Sequence, residues 1–379
     1  MKIKTIAFFS GFYLPFLGGV ERFTEKLSEQ FLKLGYRVII VTSNHAQLPP
    51  VEEMDGRKIY RLPTKKLFRE RYPLLDKNQE FSKLMAELET EEIDYLICNT
   101  RFQLTTLLGL QFAKKQKLPS LVIDHGSSHF SVNNKLVDFF GAIYEHLLTS
   151  VIKSYPTKFY AVSQRSADWL KHFKIQASGL IYNSVDSDIY DRFKDSTFLD
   201  KGSGQTIITY AGRLIREKGV QLLLEAFQNL PESEGLELVI AGDGPMKSEL
   251  EEKYNRPDIH FVGRLDFPEV MSLMNQTDIF VYPSMFPEGM PTSILEAGML
   301  KCAVIATDRG GTAEVITDDS LGMIVEENSK AVEEALKFYL NNPEKILSSG
   351  QKLQDRILSE FTWEKTAKHL LEVISTDGK

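Results

Sequence analysis

Residues 283–297 read Pro-Ser-Met-Phe-Pro-Glu288-Gly289-Met290-Pro291-Thr292-Ser293-Ile294-Leu-Glu296-Ala, directly after the apolar run 278–282. An apolar strand, a turn rich in proline and glycine, and a helix opening near Thr292 make a strand-to-helix turn of a parallel α/β sheet. The first turn of a helix leaves N–H groups unpaired and carries the positive end of its dipole. Residues 290–294 are therefore expected to lie beneath phosphate or sugar oxygens. Glu288 is expected beside a sugar, and Glu296, one turn into the helix, on the two hydroxyls of a ribose.

Working outward, the same pattern repeats on both sides. Apolar strands at 206–211, 236–241, 259–262, 278–282 and 303–307 alternate with helices starting near Gly219, Pro245, Pro268 and Thr292. Upstream lies a second series, with strands at 4–10, 37–42, 93–98, 120–124, 158–162 and 179–182 and helices at 20–34, 102–117 and 164–173. Such βα alternation predicts parallel sheets covered on both faces. The polar stretch 184–204, ending Gly-Ser-Gly, separates the two series. A chain of 379 residues exceeds what one core usually organises. The expectation is an N-terminal Rossmann-like domain at 1–185, a second at 186–360, and a helix at 361–379 packing back toward the first. In doubly wound folds ligands sit at the carboxyl ends of the strands, so a cleft between the domains is the expected site.

Three further constellations fall at strand ends. Gly18-Gly19 opens a helix after the first strand, where the backbone at Gly19 could approach an anion. Gly212-Arg213 ends a strand and Glu217-Lys218-Gly219 begins a helix, so Arg213 and Lys218 could meet on one diphosphate. His125 follows Val-Ile-Asp at the end of another strand. Among the carboxylates, histidines and cysteines no group has metal-ligand spacing, and no Asp-x-Asp follows a strand. No metal and no cofactor are therefore expected, and a departing diphosphate would be stabilised by cations and helix dipoles.

With these motifs in order (Gly-Gly-Val-Glu-Arg at 18–22, Gly-Arg at 212–213, Glu-Lys-Gly at 217–219, Gly-Asp-Gly-Pro at 242–245, Glu288 to Glu296, Gly310-Gly311 with Glu314, and 361–364), the chain resembles the retaining glycosyltransferases of family 4, which have the GT-B fold. The resemblance implies two Rossmann-like domains facing a central cleft, with transfer of a hexose-type sugar from a nucleoside diphosphate sugar, UDP- or GDP-linked, to a glycan or lipid-linked acceptor in cell-surface polysaccharide synthesis. It implies Arg213 and Lys218 on the diphosphate, Glu296 on the ribose, Glu288 on the transferred sugar, Gly19 reaching the diphosphate, and His125 beside the sugar. Where the family usually has Gly-x-Pro after the second glutamate, this chain has Leu300-Lys301-Cys302-Ala303, which puts the local turn in doubt. A GT-B epimerase or phosphorylase is the alternative among enzymes, and a catalytically silent sugar-binding subunit the alternative outside them.

Charge is distributed unevenly. Residues 1–185 carry 25 Lys and Arg against 18 Asp and Glu (+7), and the remainder carries 20 against 34 (−14), which sums to the net −7. Eight cations between Arg57 and Lys77, interleaved with Tyr60, Phe68 and Tyr72, form either a solvated loop or a patch for an anionic membrane or acceptor. Nucleic acid fits neither the motifs nor the acidic balance. The first ten residues are too short in apolar character for a secretory leader, and no run reaches the roughly 18–20 residues of a spanning helix. With the isolated Cys98 and Cys302, this suggests a cytoplasmic protein, peripheral to a membrane at most.

Overall fold

A computed structural model describes residues 4–16, 18–65, 72–130, 134–202, 204–232 and 235–377. The chain divides into two compact units, Met1–Asn183 with Trp363–Lys379, and Ser184–Thr362.

The first unit contains β1 (Thr5–Phe9), α1 (Gly19–Lys33), β2 (Arg37–Ser43), β3 (Val51–Met54), β4 (Arg57–Leu62), β5 (Thr64–Lys65), β6 (Leu74–Leu75), α2 (Gln79–Leu88), β7 (Tyr95–Asn99), α3 (Leu104–Gln116), β8 (Ser120–Asp124), α4 (Lys135–Ile152), β9 (Lys158–Ala161), α5 (Gln164–His172) and β10 (Gly179–Leu180). Its eight-stranded sheet runs β10-β9-β8-β7-β1-β2-β4-β3, parallel except at β3. Every residue of β1, β7 and β8 is buried, as strands covered by helices on both faces require. The strand order reverses between β1 and β7, and the turn after β1 and the ends of β7 and β8 lie at that switch point.

The second unit contains α6 (Ile189–Phe193), β11 (Thr206–Ala211), a 3-10 turn (Arg216–Lys218), α7 (Val220–Gln228), β12 (Leu236–Ala241), α8 (Lys247–Lys253), β13 (Ile259–Gly263), α9 (Phe267–Gln276), β14 (Ile279–Tyr282), α10 (Thr292–Met299), β15 (Ala303–Thr307), α11 (Thr312–Val315), β16 (Met323–Val325), α12 (Ser329–Asn341) and α13 (Pro343–Glu360). Its six-stranded parallel sheet runs β13-β12-β11-β14-β15-β16, with the switch between β11 and β14. The last helix, α14 (Trp363–Asp377), belongs to the first unit, where it packs on α1 with Trp363 edge-on to Phe23.

The basic run 57–77 departs from expectation. Its first part is the strand β4, in which Arg57 and Arg61 are buried. Arg57 Nε donates to Ser28 Oγ at 2.6 Å, Arg61 Nε to Glu52 Oε1 at 2.9 Å, and Lys58 Nζ lies 2.6 Å from Glu91. Two of these cations are thus buried and the third is paired within the protein. Lys65 and Lys77 are exposed, and residues 66–71 lie outside the described residues.

Helix α4 is absent from the expected elements, because its pattern is inverted. It buries Glu145, Leu148, Thr149 and Ile152, yet Leu136, Phe139, Phe140 and Leu147 remain 71%, 62%, 61% and 65% exposed. At the departure after Glu296, Lys301 takes φ 63°, the left-handed conformation that glycine would supply, and its ammonium sits 4.3 Å from the Tyr190 ring centre. No helix among the described residues is long and apolar enough to cross a membrane.

Candidate functional site

In the second unit, the turns after β11, β14 and β15 are laced together. The N–H of Met285 donates to the carbonyl of Glu217 at 2.8 Å, and the N–H of Gly311 to that of Gly289 at 3.0 Å. Gly219, at φ 73°, is required here: a Cβ would stand 1.8 Å from the carbonyl oxygen of Pro283. That approach brings Lys218 against the end of β14.

Lys218 Nζ forms an ion pair with Glu288 Oε1 and donates to Tyr282 Oη at 3.1 Å. Tyr282 Oη donates to the same Glu288 oxygen at 2.8 Å, and Ser284 Oγ does so at 3.1 Å. Burial first, then the Glu288 carboxylate, hold the Tyr282 pKa well above the usual phenol range, so it remains a donor at any working pH. Lys218 and Glu288, expected on different parts of a ligand, are therefore direct partners here. Tyr282 and Ser284, which hold the carboxylate, escape a reading of the sequence alone. Ser284 stands within the quoted stretch, and Tyr282 closes the preceding strand.

Arg213 is exposed and enters the structure through its carbonyl, which accepts from Tyr210 Oη at 3.0 Å. Gly289 is half-buried, Met290 and Pro291 are buried, and Thr292 and Ser293 are half-buried at the start of α10. Ile294 corrects the expectation of free N–H groups across 290–294: its N–H donates to the carbonyl of Pro291 at 3.2 Å, and Pro291 itself has none. Glu296 is buried on α10.

In the first unit, Gly19 opens α1 after Gly18, whose N–H donates to Glu21 Oε2 at 3.0 Å, an N-terminal capping contact. A Cβ at Gly19 meets nothing within 4 Å, so the protein's own packing does not demand glycine there.

His125 follows β8, its ring edge-on to Phe23 at 4.7 Å between centres. Part of the residue reaches the surface, yet desolvation lowers its pKa to about 3, which leaves the imidazole neutral. A chain of hydrogen bonds assigns its tautomer. Thr24 Oγ1 donates to the Val20 carbonyl at 2.8 Å, so it must accept from Asn99 Nδ2, also at 2.8 Å. Asn99 Oδ1 then faces His125 Nε2 at 3.0 Å, which places the proton on Nε2 and the lone pair on Nδ1.

A cluster of histidines that sequence spacing does not reveal is also in this unit. His129, His146 and His172 present ring nitrogens within 4.8 Å of one another.

Two Rossmann-like units, each a largely parallel sheet covered by helices, are the architecture of the GT-B class of glycosyltransferases. A family model described as "Glycosyltransferase Family 4" matches residues 17–189, and one described as "Glycosyl transferases group 1" matches residues 191–355. The chain belongs to this family, the family 4, or group 1, glycosyltransferases. It is 25% identical to an uncharacterised glycosyltransferase of Methanocaldococcus jannaschii, over 98% of both chains. It is 24% identical to a component of human phosphatidylinositol N-acetylglucosaminyltransferase, over 98% of this chain and 76% of that protein. Among solved structures, HepE from Anabaena in complex with UDP superposes with a TM-score of 0.73 at 16% identity, covering 99% of this chain and 100% of that one.

Proposed function

We propose that the protein moves a hexose-type sugar from a UDP- or GDP-sugar to a lipid-linked or glycan acceptor for cell-surface polysaccharide synthesis, with retention of configuration and without a metal at the diphosphate. The observation that carries this reading is the Lys218–Glu288 pair, held by Tyr282 and Ser284 at the switch point of the second unit. A cation and a carboxylate side by side suit a ligand that is anionic at one end and rich in hydroxyls at the other.

In this reading the bond between the anomeric carbon and the diphosphate oxygen breaks with its electron pair on the diphosphate. The acceptor hydroxyl attacks from the same face and gives its proton to the leaving oxygen. Lys218 and Arg213 stabilise the growing charge, together with the N–H groups of Met290, Thr292 and Ser293 and the backbone at Gly19. Glu296 holds the ribose, Glu288 the sugar, and His125 offers Nδ1 as a neutral acceptor to a sugar hydroxyl.

A structure of HepE contains UDP, and another UDP-glucose, which supports a uridine donor. The name of the human relative and the exposed apolar face of α4 support a lipid acceptor, with the protein working in the cytoplasm at the inner membrane face.

The test is a thermal-shift panel of UDP, GDP, ADP and dTDP with their sugars, followed by turnover of the stabilising donor in EDTA. One nucleotide should stand out, by roughly 2.7 kcal/mol at 100 times its dissociation constant. Turnover should persist in EDTA. Activity that disappears with chelator and returns with Mn2+ overturns the metal-free mechanism.

A further inference from the structure

His129 follows β8, His146 lies on α4, and His172 ends α5, so three separate elements deliver one imidazole each to one place. His146 Nε2 and His172 Nε2 face each other at 3.1 Å, and the three ring centres lie 4.9 to 5.4 Å apart. A tetrahedral zinc ion with bonds of about 2.0–2.1 Å holds its ligand nitrogens about 3.3 Å apart, close to the observed facing pair.

The surroundings have the form that metal-binding histidines need. His129 Nδ1 lies 2.6 Å from Glu145 Oε2, which orients the ring and leaves Nε2 for the cluster. Glu145 is itself fixed by the buried Arg101, whose other nitrogen donates to Asp124 Oδ2 at 2.6 Å. Trp169 stacks on His172 at 4.7 Å and 7° between planes, and packs edge-on to His129.

We propose that His129, His146 and His172 form a site for a divalent transition-metal ion of the zinc class. The ion joins the segment after His125 to α4 and α5, and its role is to fasten these elements rather than to touch the donor diphosphate. An all-imidazole set selects Zn2+, Co2+ or Ni2+ over Mg2+ and Ca2+.

The full chain, stripped with chelator and dialysed, is titrated with Co2+. One equivalent should give the visible absorption of nitrogen-ligated cobalt, quench the fluorescence of Trp169 in a Trp363→Phe background, and be displaced by Zn2+ but not by Mg2+. Zn2+ should raise the unfolding temperature. His172→Gln, at an exposed position, should weaken Co2+ binding at least tenfold and abolish the quenching. His260→Gln, an exposed histidine of the other unit, should change neither. Absence of a stoichiometric cobalt spectrum in the wild-type chain overturns the site, as does unchanged affinity in His172→Gln. Because the readouts are spectra, fluorescence and unfolding, they are independent of transfer activity.

Discussion

Lys218 sits over two aromatic rings, 5.5 Å from the centre of Tyr282 and 5.2 Å from that of Phe286, while its ammonium pairs with Glu288. Truncating it leaves Glu288 with two hydroxyl donors, Tyr282 and Ser284, so Lys218→Ala should stay folded. Turnover should nevertheless fall at least about 10²-fold, the scale of one preorganised charge stabiliser. Glu288→Gln keeps an oxygen for Lys218 and Tyr282 but loses the charge proposed to face the sugar. It should damage transfer more than affinity for the free nucleoside diphosphate, whereas Glu296→Ala should weaken the nucleotide itself. Calorimetric titration with the diphosphate beside steady-state kinetics separates the two. Equal losses of diphosphate affinity would refute the division of roles.

At the scale of the element, α1 separates a glycine that its own packing requires from one that it does not. Gly18 closes the capping contact with Glu21, and a Cβ there would meet the carboxylate at 2.6 Å, while Gly19 has open space. Gly19→Ala should therefore leave the unfolding temperature unchanged or slightly raised, since alanine favours a helix over glycine by up to about 1 kcal/mol. If the diphosphate approaches here, donor affinity should fall at the same time; an unaltered KM for donor would remove Gly19 from the site. The elements legible in the sequence are those whose periodicity matches their burial. Strands β11, β12 and β15 are continuous apolar runs because helices cover both their faces, and the expected ranges 206–211, 236–241 and 303–307 coincide with the observed ends. Strand β4 is hidden by its arginines, which are buried only because Ser28 and Glu52 meet them from elsewhere in the chain. Helix α4 is hidden because a pattern reading expects apolar side chains to face inward. The three histidines cannot be read by spacing, since their ligand atoms meet only through tertiary structure.

At the scale of the whole molecule, the positive charge of the first 185 residues and the apolar surface of α4 belong to the same unit. Burial of Arg57 and Arg61 and the pairing of Lys58 reduce the basic run to fewer surface cations than its sequence suggests, each contributing about 1 kcal/mol at best near an anionic membrane. In the proposed contact with a membrane, the exposed apolar side chains on α4 would then carry much of the attraction. Tyr72, within the run 57–77, reaches α4, where its Oη lies 2.7 Å from Tyr144 Oη. Sedimentation with liposomes should show binding that anionic lipid strengthens and salt weakens without abolishing, since screening acts on charges and not on buried apolar area. Replacing Leu136, Phe140 and Leu147 with Ser should remove binding under all conditions. Replacing Lys65, Lys66, Arg69 and Arg71 with Ser should remove only the dependence on anionic lipid. Wild-type protein that stays in the supernatant at low salt would refute the membrane contact and make a soluble acceptor the better reading.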